Sequence, residues 1–417
     1  MNPDRAVAGL DIGFAKTTAI IGEVVGSAPK HASIKVRGVG QARTTGIRHG
    51  VVADIDETTR SIRKALENAE RMAGVQVHDV YAGIAGEHVQ AMISKGIVAI
   101  VGEEVSALDV DRANDVARAQ LIPADRELLH AIPQEYSVDW SGGIRDPIGM
   151  AGMRLETEMC LVTVGSTPAL NVRRAVERAG YAVRELVLEP LASALAVLTE
   201  DEKELGVALI EMGAGTTEVA VFHEGKIRHV GTVGFGGSKV TSDIARGLGV
   251  TQADAERLKE RHGCAYEPLV DPNDIIQLSG TDAQGHRQIP RERLVHIIHH
   301  RLADMLSRVK AAIAAAGYDG RLAGGTVMTG GGAAMAGLPE LVRDVFGTGV
   351  RVGIPGSGLC GLSDTVEAPR FSTVVGLAMY AAHQVPSAAI SPRRLHARVR
   401  PMNHLRRRVR VWLEDFF

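Results

Sequence analysis

Aromatic residues are scarce. Two Trp, six Tyr and seven Phe among 417 residues leave the cores to be built from Val, Ile, Leu and Ala. Cysteine is scarcer still. Cys160, Cys264 and Cys360 are scattered, odd in number and without a CxxC pair, which excludes a disulfide framework and predicts the reduced thiols of a cytosolic protein. No apolar run reaches the ~18 residues that a bilayer span needs. Met1-Asn2-Pro3-Asp4-Arg5 runs straight into a predicted strand, without a signal-peptide pattern. Nor is there a global charge excess: the net charge of −2 gives no pointer to nucleic acid. What is present is a globular composition, 45% hydrophobic and 23% charged, with 47 glycines and length enough for two or more domains.

Two segments echo each other. Leu10-Asp11-Ile12-Gly13-Phe14-Ala15-Lys16-Thr17-Thr18 and Ile210-Glu211-Met212-Gly213-Ala214-Gly215-Thr216-Thr217-Glu218 each read as an apolar strand, an acid, a glycine turn and a second strand. Such a duplication predicts two similar α/β domains facing each other across a cleft, each offering a hairpin to one ligand. Glycine turns let backbone N–H groups approach phosphate oxygens, and an acid at a strand end can hold a hydrated divalent cation. A third cluster, Thr329-Gly330-Gly331-Gly332-Ala333, leaves another predicted strand and would let a flat base or ribose lie on the backbone. No Walker A loop occurs. One such turn would be unremarkable. Three in this order, each leaving a strand, predict a nucleotide site.

Strands are expected at about 6–13, 17–25, 33–40, 80–85, 160–164, 183–188, 207–211 and 325–329. Helices are expected from Asp54 or Asp56 to about Met72, from Thr167 to Ala179, from Pro190 to about Leu198, from Pro290 to Ala316 and from Leu338 to Phe346. Between 86 and 159 the texture turns short, polar and turn-rich, as for an inserted subdomain. Trp140 within it is expected to pack.

The loop order resembles that of the actin, heat-shock chaperone and sugar-kinase superfamily. Within it, His130-Ala131-Ile132-Pro133-Gln134-Glu135-Tyr136, then Gly143-Ile144-Arg145-Asp146-Pro147-Ile148-Gly149-Met150 and Arg154-Leu155-Glu156 resemble the subdomain that sets the FtsA family of bacterial cell-division proteins apart from actin. The resemblance implies an α/β, actin-like (ribonuclease H-like) two-domain fold with an FtsA-type insert. The first actin-like domain would take 5–85, 160–200 and 372–385, with the insert at 86–159. The second would take 205–242 and 322–371, with an outer subdomain at 243–321. A linker at 386–403 and an amphipathic helix at 404–417 would follow.

By the same resemblance the cofactors are ATP and Mg2+. Asp11 and Glu211 would face the metal. Gly13, Phe14, Ala15 and Lys16 would form the first phosphate hairpin, with Lys16 meeting the β/γ-phosphates. Gly213, Ala214, Gly215, Thr216 and Thr217 would form the second, followed by the turn of Gly234, Gly236 and Gly237. Glu256 and Lys259 would border the adenosine, as would Gly331, Gly332 and Ala333. Glu189 matches the acid that orients attacking water in the chaperone branch; it is equally an acid that a helix dipole favours at an N-terminus. Three departures from the family pattern, Glu211 for Asp, Phe14 for a hydroxyl residue and Ala214 for Gly, predict weak or absent hydrolysis, because in-line attack tolerates little displacement.

The end of the chain is basic, with eight Arg against two acids from Ser391 to Phe417. Leu405, Val409, Trp412, Leu413 and Phe416 fall on one face of a helix, with Phe417 beside them and Arg406, Arg407, Arg408 and Arg410 on the other faces. Such a segment suits a membrane interface: each buried apolar side chain can contribute roughly 1.5–3 kcal/mol and each Arg about 1 kcal/mol near anionic lipid. FtsA proteins carry a similar tail.

The implied function is tethering of FtsZ filaments to the inner face of the cytoplasmic membrane at the septum. Its partners would be the FtsZ C-terminal peptide (with Arg301 as an anchor), other copies of the chain in a filament, anionic lipids and other division proteins, but not nucleic acid. A pilus-assembly scaffold and an ATP-dependent small-molecule kinase of the same superfamily are the alternatives. His296 and His300 share a helix face with His299 adjacent, but no acid or Cys stands at metal spacing in the sequence, so packing or surface roles are expected. A single copy should bind anionic liposomes weakly and a polymer strongly through avidity, and co-sedimentation should be lost on deletion of 404–417; equal sedimentation of both would refute the membrane helix.

Overall fold

The computed structural model describes residues 5–26, 33–48, 50–278 and 287–385; the expected linker and terminal helix lie outside them. β1 (Ala6–Ile12), β2 (Lys16–Val25) and β3 (Ser33–Arg43) form an antiparallel meander. A short hairpin of β4 (Ile47–Arg48) and β5 (Val51–Val52) leads into α1 (Ile55–Ala73). Asp54 caps α1 by accepting from Glu57 N, and Gly74 ends it at φ 69°, a conformation that costs glycine little. α1 lies directly on β3, where a Cβ at Gly40 would stand 1.9 Å from the Ala65 carbonyl oxygen. β6 (Asp79–Ile84) returns parallel to β1.

The insert follows as β7 (Val89–Ala99), α2 (Ala107–Arg118), β8 (Arg126–Val138), β9 (Ser141–Ile144) and β10 (Arg154–Gly165), a four-stranded sheet in the order β7-β10-β8-β9. A capping box between Ser106 and Asp109 starts α2. Asn114 on α2 donates to Tyr136 Oη and accepts from Thr157 Oγ1, fastening helix to sheet. Two expectations change here. The strand expected at 160–164 begins at Arg154, because Leu155, Thr157 and Met159 already alternate inward. Trp140 does not pack into a core: it is 83% exposed, in the β8–β9 turn. Asp139 and Trp140 both have positive φ, 47° and 76°, as a type I′ turn requires. That turn carries the indole outward, with the Arg154 guanidinium 3.8 Å above its ring.

The chain then adds α3 (Ser166–Ala179), β11 (Ala182–Leu188), α4 (Glu189–Val197) and α5 (Glu200–Leu205). A second meander, β12 (Val207–Met212), β13 (Thr217–His223) and β14 (Lys226–Val233), repeats the first. α6 (Gly237–Leu248), α7 (Gln252–His262), the β15 (Ile275–Leu278) and β16 (Arg287–Pro290) hairpin and α8 (Arg291–Ala315) build an outer layer. β17 (Gly325–Thr329) returns parallel to β12, as β6 does to β1. α9 (Leu338–Phe346), β18 (Val350–Val352), β19 (Leu359–Gly361) and α10 (Ser372–Gln384) complete the described chain. The two main sheets run β11-β6-β1-β2-β3-β19 and β14-β13-β12-β17-β18.

α4 and α10 lie between these sheets. One core joins Leu191, Leu195, Val374 and Leu377 of the helices to Ile20 of the first sheet and Leu209 and Phe222 of the second. The helices touch backbone to backbone: a Cβ at Gly376 would sit 1.8 Å from the Ala192 carbonyl oxygen. Gly376→Ala is therefore expected to destabilise the protein by about 1–3 kcal/mol or more through overpacking. A lowered thermal midpoint in calorimetry checks this, and an unchanged midpoint would contradict it.

Candidate nucleotide site

The two meanders turn their first loops toward each other. Phe14, at the tip of the first, lies against Gly215 of the second: a Cβ at Gly215 would be 3.0 Å from three atoms of the Phe14 side chain. A cleft of about 910 Å³ opens beside this contact, lined among others by Phe14, Arg43, Gly215, Gly234, Gly236 and Lys239. The second hairpin is clamped to the turn that follows it. Gly237 N donates to the Gly213 carbonyl at 3.0 Å and Ser238 N to the Ala214 carbonyl at 2.8 Å. The approach needs glycine, since a Cβ at Gly236 would meet the Gly213 oxygen at 2.6 Å. Lys259 Nζ reaches Glu256 at 2.8 Å, Thr241 Oγ1 at 2.8 Å and the Gly237 carbonyl at 3.1 Å. The pair thus borders the same turn.

Other expected residues have mixed positions. Gly13 and Ala15 stand in the first turn, and Lys16 is exposed at the start of β2. Thr216 is half-buried, but Thr217 is fully buried and its hydroxyl donates to the Phe235 carbonyl at 2.8 Å, so it braces the loop from inside. In the third cluster Gly331 faces open space, while a Cβ at Gly332 would strike the Met212 side chain at 2.6 Å and Ala333 is buried in the second core. These three residues lie outside the lining of the 910 Å³ cleft, as do Asp11, Lys16, Glu189, Glu211, Glu256 and Lys259; of the expected residues Phe14, Gly215, Gly234 and Gly236 line it.

Beneath the hairpins is a concentration of negative charge. Glu211 is buried, and its carboxylate accepts from the Ser193 hydroxyl at 2.6 Å and from the Thr373 hydroxyl. These donors belong to α4 and α10, the helices that lie between the two sheets. The side chain expected to face a metal is thus held by hydroxyls of α4 and α10 in the layer between the two sheets. Opposite it in the β12–β13 register stands Glu218, 3% exposed, with Oε1 lacking a hydrogen-bond partner. Glu189, at the start of α4, lies over Gly83 at the end of β6.

Burial raises the pKa of all four acids, and neighbouring carboxylates raise three of them further. Burial and then Glu211 push Asp11 to about 7. Burial and then Glu211 push Glu218 to about 8. Glu189 is raised well above the usual carboxylate range by burial, then by Asp11, Glu211 and Glu218. Glu211 is raised by burial, against its two hydroxyl donors. Clustered carboxylates short of cations suit a divalent ion with oxygen ligands. Glu218 was missed in the sequence, although reading the Gly213–Thr216 turn as a tight hairpin would have set it across from Glu211. Ser193, Thr373 and Lys239 leave no such local signal.

Comparison with known proteins meets this geometry. The model of cell division protein FtsA matches residues 208–376 and that of the SHS2 domain inserted in FtsA matches 86–163. The cell division protein FtsA of Pseudomonas aeruginosa is 40% identical over 90% of this chain and 89% of its own length. The chain belongs to the FtsA family. FtsA of Escherichia coli is 36% identical over 90% of both chains. Among solved structures, the PilM–PilN type IV pilus biogenesis complex superposes with a TM-score of 0.62 at 16% identity, covering 93% of this chain and 99% of that one. MreB 5 of Spiroplasma citri bound to AMPPNP superposes at 0.52 and 14%, over 90% and 96%. The fold is therefore that of the actin-like ATPases, and the family is one of cell-division proteins. Among the described residues, no helix is long and apolar enough to cross a membrane.

For this FtsA-family chain the acids give a sign to the pH dependence. Raised carboxyl pKa values favour the folded state while the groups are protonated. The favour is complete below the ordinary values of 3.8 and 4.5 and is lost as pH climbs through about 7 and about 8. The thermal midpoint of metal-free protein should fall from pH 5 to pH 8, and Glu218→Gln should flatten the upper part of that fall. A midpoint constant across this range, or the same slope in the variant, would refute the shared-charge account.

Proposed function

We propose that the chain binds ATP with Mg2+ in the cleft between its two domains and tethers FtsZ filaments to the inner face of the cytoplasmic membrane at the division septum. The observation that carries the reading is the meeting of two glycine hairpins, from two repeated meanders, above Asp11, Glu189, Glu211 and Glu218. Backbone N–H groups around Gly13 and Gly215, with Lys16, would take the phosphates. Asp11 is the acid best placed to hold the hydrated cation, with Glu218 as an added oxygen source. Glu256 and Lys259 would border the adenosine, and Gly331, with open space before it, would let the ligand approach the backbone.

Bound Mg2+ would supply charge neutralisation at the phosphates. The chain's own residues would close the two domains on the ligand and change the contacts between copies in a filament. Glu189 would orient the attacking water. Hydrolysis would be slow, because Glu211 is occupied by Ser193 and Thr373 and Phe14 fills the space between the hairpins. Many copies in a filament would turn a weak terminal lipid anchor into strong attachment by avidity. Other division proteins would be further partners.

On the outer subdomain, Arg301 is already paired, with Asp243 and with Asp304 at 3.1 Å. A peptide carboxylate would have to exchange with one of these, which the bidentate geometry of Arg permits. Two measurements test the proposal. Fluorescent ATP analogues should bind in millimolar or lower concentration with Mg2+ present, more weakly in Lys16→Ala; absence of binding would end the nucleotide reading. The affinity of the FtsZ C-terminal peptide should fall in Arg301→Ala, and an unchanged value would remove Arg301 from the interface.

A further inference from the structure

The outer subdomain carries a group of side chains that the nucleotide and filament reading does not use. His296 and His300, four residues apart on α8, project from one face a helical turn apart. Their rings meet edge to face, centroids 4.2 Å apart at 83°. The expectation that no acid completes a site with them is corrected by the fold. Glu267, in the 3₁₀ turn Glu267–Leu269 after α7, is brought against α8. His296 Nδ1 stands 2.8 Å from Glu267 Oε1. One ligand atom from each of the three residues lies within 4.8 Å of the others.

A tetrahedral ion with ligands at about 2.0–2.1 Å holds its donors ~3.3 Å apart, so small side-chain rotations close the set. Those rotations are unhindered, since His296 is 61% and Glu267 38% exposed at the side chain. The spacing is fixed by backbone: the two histidines by one rigid helix, the glutamate by a turn anchored beside it. Arg291 Nε donates to the His262 carbonyl at 3.0 Å, and Ala265 N to the Ala336 carbonyl at 2.7 Å. The neighbouring His299 is turned away, with Nδ1 donating to the Ala265 carbonyl at 2.9 Å. A His–Glu hydrogen bond alone accounts for two of the residues but gives no part to His300.

We propose that Glu267, His296 and His300 form a binding site for a divalent transition-metal cation of the Zn2+ class. Two imidazoles and one carboxylate select Zn2+, Co2+, Ni2+ or Cu2+ over Mg2+ and Ca2+, which take oxygen ligands. Three protein ligands leave a fourth position open to water or to an incoming group. The ion would staple the turn after α7 to the first half of α8, stabilising the outer subdomain in proportion to its binding.

The test uses untagged, full-length protein in excess Mg2+, so that Asp11, Glu189, Glu211 and Glu218 would be saturated by an ion of oxygen-ligand preference. Titration with Co2+ should raise visible ligand-field absorption that saturates at one equivalent and is displaced by Zn2+. His300→Ala and Glu267→Gln, each checked for folding by circular dichroism, should weaken Co2+ binding by at least about tenfold, since even outer partners of a metal site are worth 10–100-fold. His299→Ala should bind as the parent does. No absorption in the parent, or binding unchanged in His300→Ala and Glu267→Gln, or equal loss in His299→Ala, would each overturn the site.

Discussion

The close approach of α10 to α4 is the contact on which the architecture turns. At Gly376 a side chain would enter the Ala192 carbonyl, so the two helices lie as near as backbones can. The layer they form is thin, and both sheets reach it: Ile20 from one side, Leu209 and Phe222 from the other. Close-packed interiors transmit small displacements rather than absorb them. The gap between the two glycine hairpins is therefore set by helix packing some distance behind it. In the same layer, Ser193 and Thr373 reach across to Glu211, so the layer between the two sheets and the acid floor beneath the hairpins are one structure.

That floor is electrostatically uncomfortable without a cation. Desolvation is the largest cause of the rise at Asp11, Glu189, Glu211 and Glu218, and each of three of them is raised further by another of the group. Charge of this kind costs stability unless it is protonated or neutralised. A phosphate-bound divalent ion would add the missing positive charge at the moment of binding, which ties ligand affinity to domain closure. The place of Glu211 is the physical basis of the slow hydrolysis proposed above. A carboxylate with both oxygens taken by hydroxyls has less freedom to adjust to a metal's hydration shell.

The outer subdomain follows a different logic. α8 uses its apolar stripe, Leu294, Ile298, Leu302, Met305 and Leu306, to cover the second core. Its opposite side keeps charge and imidazole in solvent. Arg301 is tied to Asp243 and Asp304, whereas His296 and His300 lie open with Glu267 beside them. The proposed metal site thus falls on a face that packing leaves open, whereas Arg301 sits where α8 meets α6 through Asp243.

Local pattern alone determined a good deal. The strand–acid–glycine echo around Asp11 and Glu211 carried the duplicated α/β architecture, because hairpins are specified by residues next to one another; its actin-like character came from the resemblance in loop order. Caps such as Asp54 and Gly74, and the apolar stripe of α8, were legible for the same reason. In the insert, alternation at Leu155, Thr157 and Met159 was hidden by surrounding polar residues, and a turn conformation rather than hydrophobicity placed Trp140 in solvent. What only the tertiary structure decided are the contacts between distant segments. Glu211 finds Thr373 across 162 positions and Glu267 finds His296 across 29. Side chains of that kind are brought together by the packing of helices and sheets, and no periodicity in the chain records it.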